Sequence, residues 1–237
     1  MVRKVMPEDQ QDTKLENFFS IFGESITFMG GQTVISPDKD PDGVYYILKG
    51  YIQICAHLKT EQEKVYAIYK KGEIFPLLWA LSGIKKNLYY HALNNTELYR
   101  IPKEKFTEYI TRDPVFLSAI TIKLTSLLNI FVDRVDNLTI PKASSRIIAR
   151  LLFFADRFGV KIGEEIVISL PMNHSYIANS IAMTRETVNR ELQKLIKKGL
   201  ISYRNKLLVI KNKEHLLNEM MISGLIVGFG SLVEMID

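Results

Sequence analysis

Cysteine is almost missing from this sequence, with one residue, Cys55, among 237. A lone thiol excludes an intramolecular disulfide framework and any four-cysteine zinc or iron–sulfur site. An apolar leader is missing as well, because Arg3 and Lys4 are followed by Glu8, Asp9 and Asp12. No signal peptide is expected, and the cytoplasm is the expected compartment. There is no nucleophile elbow, no P-loop and no carboxylate pair placed for acid–base work, so enzymatic activity is not expected. His57, His91, His174 and His215 are scattered without the spacing of metal ligands, so neither a metal nor another cofactor is expected.

What is present is an ordinary soluble composition, 47% apolar and 24% charged, at a length that suits two domains. The net charge of +5 is unevenly spread. Residues 141–213 hold 14 Lys and Arg against 5 Asp and Glu, while the remainder holds 17 against 21. A basic C-terminal half on a mildly acidic N-terminal half suggests a nucleic-acid-binding module joined to something else.

Leu15, Phe18, Phe19 and Phe22 form a short apolar helical face that ends near Gly23. Short alternating or β-branched runs follow at 26–28, 33–35, 44–48, 51–55, 64–69, 88–93 and 97–101. Gly30-Gly31, Pro41-Asp42-Gly43, Lys49-Gly50, Lys71-Gly72 and Asn94-Asn95 punctuate them. Such a series predicts an antiparallel sandwich or barrel. A helix with Phe106, Tyr109 and Ile110 inward should cover 102–112, and Asp113-Pro114 should open a long helix to about Asn137. Leu117, Ile120, Leu124, Leu127, Leu128, Phe131, Val135 and Leu138 step along it by threes and fours. The stripe suits either burial on its own domain or a dimer seam. About six turns exceed what a small sheet can cover, which favours the seam.

Thr139-Ile140-Pro141 reads as a hinge, with Pro141 in the first turn of the next helix. That helix should bury Ile147, Ile148, Leu151, Leu152 and Phe154 and end at Gly159, ahead of a strand at 166–170. In 173–201 two short helices are predicted around a tight turn. Asn173 caps the first, which buries Tyr176, Ile177 and Ile181. Thr184 caps the second, which buries Val188, Leu192 and Leu195. Arg185, Glu186, Asn189 and Arg190 are left on the outer face, the arrangement of a recognition helix. Leu200–Tyr203 and Leu207–Ile210 flank a basic tip, Arg204-Asn205-Lys206, as the strands of a wing. The apolar stretch at 220–236 contains Gly224, Gly228 and Gly230 and is too short and Gly-rich for a membrane span.

The run Met183-Thr-Arg-Glu-Thr-Val-Asn-Arg-Glu-Leu192, continued by Lys198-Gly-Leu-Ile201, resembles the signature of the Crp/Fnr family of bacterial transcription regulators. Tyr45-Tyr-Ile-Leu-Lys-Gly50 and Lys71-Gly-Glu73 match that family's β-roll sensor, and 114–146 its dimer helix and hinge. The resemblance implies an α+β chain with three parts. These are an antiparallel β-roll of the cyclic-nucleotide-binding type (1–112), a dimerisation helix and hinge (113–140), and a winged helix-turn-helix with an apolar tail (141–237). It implies that Arg185, Glu186 and Arg190 read base edges of a palindromic, TGTGA-like site. Thr184, Asn189, Arg204 and Lys206 would meet the DNA backbone. Double-stranded DNA and a second copy are the implied partners, with RNA polymerase a further candidate and no membrane.

Ala182 stands where relatives often have glycine. The cyclic-AMP pattern is degraded further. Gly72-Glu73 remains, but Lys86-Asn87 replaces an Arg-Ser and Phe131-Val132 replaces a Thr-Ser. Cyclic AMP is therefore not the expected effector. Glu73, Lys86, Phe75, Tyr89 and Phe131 are the candidate lining of a pocket for some other small molecule, though a filled core is the favoured reading of this region. Two rival readings stand beside the regulator: a ligand-binding signalling module, and a membrane-associated interaction protein acting through the tail.

Overall fold

The fold is that of a computed structural model, which describes residues 8–57 and 63–222. It divides into two compact units, one ending at Phe131 and the other starting at Val132. The division falls inside a long helix rather than at either end of it.

The first unit opens with α1 (Glu8–Phe22), then β1 (Glu24–Phe28), β2 (Thr33–Ile35), β3 (Val44–Lys49), β4 (Ile52–His57), β5 (Glu63–Tyr69) and β6 (Ile74–Phe75). A short helix, α2 (Leu77–Ser82), precedes β7 (Tyr89–Ala92), β8 (Thr96–Ile101), α3 (Lys103–Arg112) and α4 (Pro114–Thr139). The strands form two antiparallel sheets, ordered β1-β8-β3-β6 and β2-β7-β4-β5. Gly50 at the β3–β4 turn has φ +92, and a Cβ there would lie 2.4 Å from Thr96 Oγ1, so no side chain fits. The helical side of the core joins Leu15, Phe18 and Phe19 of α1 to Tyr46, Ile74, Leu77, Phe106, Phe116 and Ile120. The apolar face read at 15–22 is buried for this reason, except Phe22, which is 40% exposed.

Helix α4 resolves the two readings of its stripe by dividing them. Phe116, Ala119 and Ile120 are buried in the core of the first unit, so Ile120 is not a seam residue. Further along, Leu128, Val132 and Val135 are 61%, 49% and 60% exposed and line an open apolar edge. By length and composition alone α4 could also cross a membrane. It carries Lys123, ion-paired with Asp12 at 2.5 Å, and its first turns sit in a folded core, neither of which suits lipid.

The second unit takes the end of α4 and continues with α5 (Ala143–Phe158), β9 (Gly159–Ile162), β10 (Glu165–Ile168), α6 (His174–Ser180) and α7 (Arg185–Lys197). It closes with β11 (Ile201–Arg204), β12 (Leu207–Ile210) and α8 (Lys213–Ile222). Its sheet runs β9-β10-β12-β11, all antiparallel. Pro141 lies before α5, whose N-cap is Lys142, and not in its first turn. Strand β9 was not expected, because Gly159 serves both as the stop of α5 and as the start of the strand. Helix α8 packs on α5 through the buried Leu216 and Met220. Of the apolar stretch read at 220–236, everything after residue 222 lies outside the described residues.

Candidate nucleic-acid interface

Both helices of the 173–201 motif start on a side-chain cap. Asn173 Oδ1 accepts from Tyr176 N at 2.7 Å, and Thr184 Oγ1 accepts from Thr187 N at 3.2 Å. Inward, Val188, Leu192 and Leu195 are buried, with Tyr176, Ile177 and Ile181 from the first helix and its turn. Outward, Arg185, Glu186, Asn189 and Arg190 are exposed, spread over roughly 140° of the α7 surface at 100° per residue. Between the helices Ala182 holds φ +52, a left-handed conformation natural to glycine.

The motif is tied to the rest of its unit by two arginines. Arg146 Nε donates to Ile140 O at 2.8 Å and its Nη1 to Ile181 O at 3.5 Å, bridging the hinge carbonyl and the helix-turn-helix turn. Asn137 Nδ2 donates to Arg146 O at 3.0 Å. Arg150 is buried, with its guanidinium over the rings of Phe153 and Phe154 at 4.6 and 4.4 Å. Its Nε donates to Ser180 Oγ at 3.1 Å, and burial pulls its pKa down to about 10. Sequence periodicity did not mark either arginine, since both lie on a helix read only for its apolar stripe.

The wing turns through Asn205 and Lys206, at φ +50 and +66, which is a two-residue hairpin turn with both central residues left-handed. Lys206 borders a groove of about 620 Å³ together with Met172, Asn173, His174, Ser175, Arg185 and Tyr203. His174 Nε2 and Tyr203 Oη lie 3.1 Å apart across it. Of the seven residues read as DNA contacts, Arg185 and Lys206 share this groove, and Glu186, Asn189 and Arg190 continue outward along α7. Arg204 points elsewhere. Its Nη2 bonds Glu165 Oε2 at 2.6 Å, and Lys211 reaches the other oxygen at 2.6 Å. Those two hydrogen bonds hold the Glu165 carboxyl below its ordinary range. Arg204 therefore braces the wing against β10 in this structure, while His174 and Tyr203, not singled out from the sequence, take places in the groove.

In the first unit, a cavity of about 120 Å³ is lined by Ile54, Tyr66, Tyr69, Leu77, Trp79, Tyr90, Leu127 and Phe131, with Lys39, Lys85 and Lys86 also contributing. Lys86 and Phe131 thus belong to the predicted pocket, and three other residues do not. Glu73 folds back to accept from Lys70 N at 2.9 Å. Phe75 is fully buried, stacked between Tyr45 and Tyr90. Tyr89 faces the opposite side of β7, stacked on His91 at 5.5 Å, so its neighbour Tyr90 takes the cavity position. That opposite face also brings His57 and His91 together with Cys55 and Glu63, a proximity that their spacing in the sequence does not suggest.

Residues 25–113 match the family described as cyclic nucleotide-binding domain, and residues 145–219 the Crp-like helix-turn-helix domain. A global nitrogen regulator of Nostoc sp. is 28% identical over 186 residues, covering 78% of this chain and 83% of the relative. The cAMP-activated global transcriptional regulator CRP of Escherichia coli is 25% identical over 210 residues, covering 87% of this chain and 98% of the relative. Among solved structures, FixK2 from Bradyrhizobium japonicum superposes with a TM-score of 0.72 at 20% identity, over 83% of this chain and 96% of that one. At that identity the match concerns the fold.

Proposed function

We propose that this chain, a member of the Crp/Fnr family of DNA-binding transcription regulators, binds a palindromic, TGTGA-like site as a homodimer. The observation that carries the reading is the face of α7. Arg185, Glu186 and Arg190 stand exposed at the start of a capped helix whose other face is core. A guanidinium fork matches guanine O6 and N7, and a carboxylate accepts from cytosine N4. Thr184, Asn189 and Lys206 meet phosphates on either side, and the exposed edge Leu128–Val132–Val135 of α4 pairs with its copy. Two α7 helices then enter successive major grooves about 34 Å apart.

Any effector on this reading is a molecule other than cyclic AMP. A cavity of about 120 Å³ is well below the roughly 300–1,000 Å³ of usual ligand pockets, and Phe131 offers no hydrogen bond to a nucleotide base. The protein is not an enzyme, works in the cytoplasm and meets RNA polymerase on DNA. The kinship with global nitrogen regulators supports nitrogen supply as the process it governs. Selection of binding sites from a random duplex pool tests the proposal. Enrichment of a two-fold symmetric site supports it, and enrichment of no motif above the starting pool rejects it.

A further inference from the structure

We propose that Cys55, His57, Glu63 and His91 form a binding site for a divalent transition-metal ion of the zinc type on the sensor sheet. Strand pairing assembles the set. His57 lies opposite Glu63 across β4 and β5, Cys55 opposite Tyr89, and Gln53 opposite His91 across β4 and β7. Alternation along β4 sends Gln53, Cys55 and His57 to one face and Ile54 to the cavity side.

One ligand atom from each of the four residues lies within 4.8 Å of all the others. A tetrahedral zinc, with Zn–S about 2.3 Å and Zn–N or Zn–O about 2.0–2.2 Å, holds its ligand atoms roughly 3.4–3.7 Å apart. The set therefore needs only about an ångström of closure, within the reach of side-chain rotation.

Outer partners are already in place. Gln53, itself buried, donates from Nε2 to Glu63 Oε2 at 3.1 Å, which leaves Oε1 facing Cys55 Sγ at 3.7 Å. Thr33 Oγ1 holds His91 Nδ1 at 3.0 Å, the kind of contact that sets the orientation of a ligating imidazole. A thiol packed against a carboxylate is an arrangement that a cation relieves. Only the thiolate ligates, so an ion bound here would displace the Cys55 Sγ proton to water. One thiolate, two imidazoles and one carboxylate are a borderline-soft donor set, which disfavours magnesium and calcium. The strands that carry the ligands also present Ile54 and Tyr90 to the cavity, so an ion here would stiffen one wall of it.

The test uses untagged full-length protein stripped by a chelator and titrated with Co(II), then Zn(II). One equivalent of Co(II) should give a near-ultraviolet thiolate-to-metal charge-transfer band and strong visible bands of a four-coordinate centre, all displaced by Zn(II). The charge-transfer band should vanish in Cys55→Ser. His57→Gln alters an exposed residue and spares the fold. It should weaken Zn(II) binding by more than the roughly 10–100-fold typical of losing an outer-shell partner, with an unchanged circular dichroism spectrum. The proposal is overturned if binding is not stoichiometric or if the band survives Cys55→Ser. It is overturned equally if His57→Gln binds Zn(II) as wild type does, or if only Cu(II) is retained.

Discussion

Ala182 and Lys206 both occupy left-handed backbone positions where glycine would be easier, at φ +52 and +66. Each costs roughly 1–2 kcal/mol relative to a residue free of Cβ crowding. Ala182→Gly should therefore raise the stability of the second unit by about 1 kcal/mol, read as a higher midpoint in thermal or urea unfolding. Lys206→Gly should stabilise the wing similarly and yet weaken DNA binding. The slope of log affinity against log salt should fall by about 1.8, the share of two neutralised phosphates, one in each half-site. An unchanged slope would remove Lys206 from the contact set. Residues such as Arg185 and Arg190 were legible in the sequence because helical periodicity alone assigns them to the open face. His174 and Tyr203, 29 positions apart, were not, since their meeting depends on the wing folding back across α6. The same holds for Cys55, His57, Glu63 and His91, which share a face only through the register of three strands. Tyr89 was placed in the cavity by proximity in sequence, and strand parity gives that position to Tyr90.

At the scale of elements, α4 begins on Asp113. Its Oδ1 accepts from Val115 N at 2.9 Å and Phe116 N at 3.0 Å, and its Oδ2 pairs with Lys14 Nζ at 2.7 Å. Burial pushes this carboxyl up, but the bond from Lys14 and the two backbone N–H groups outweigh it and hold it below its ordinary value. A carboxyl with a depressed folded pKa stabilises fully above its unfolded value of 3.8, and the contribution is lost as pH falls through the folded value. Asp113→Ala should cost about 0.5–2 kcal/mol near neutrality. The difference from wild type should shrink as unfolding is measured at increasingly acid pH. The existence of α4 was clear from its periodicity, but its division of labour was not. A stripe spaced by threes and fours looks the same whether Ile120 enters its own core or Val135 awaits a partner. The packing of α1 and α3 on its first turns decides it, with Phe116 4.6 Å from Phe18 and 4.9 Å from Tyr109 between ring centroids.

For the whole molecule, the proposed dimer puts Leu128 and Val135 in one seam. The double variant Leu128→Glu, Val135→Glu should sediment as a monomer and lose tight binding to the palindrome while each unit keeps its own circular dichroism signature. A dimer that persists would move the interface elsewhere. The architecture of sheets, long helix and winged module was readable because each part carries its own local signal: turn residues between short strands, a long apolar stripe, two capped helices before a hairpin. Within the second unit, the Arg146 bridge from Ile140 to Ile181 is made of side chain to backbone contacts that leave no period behind. The central claim is sequence-specific reading by α7, and fluorescence anisotropy of wild type and Arg190→Ala at one fixed salt concentration tests it most directly. The assay compares a TGTGA-like palindrome with its scrambled counterpart. Loss of one base contact in each half-site should weaken palindrome binding by about 2–6 kcal/mol, at least roughly 30-fold, and narrow the gap to scrambled DNA. An Arg190→Ala protein with wild-type preference for the palindrome would contradict the account.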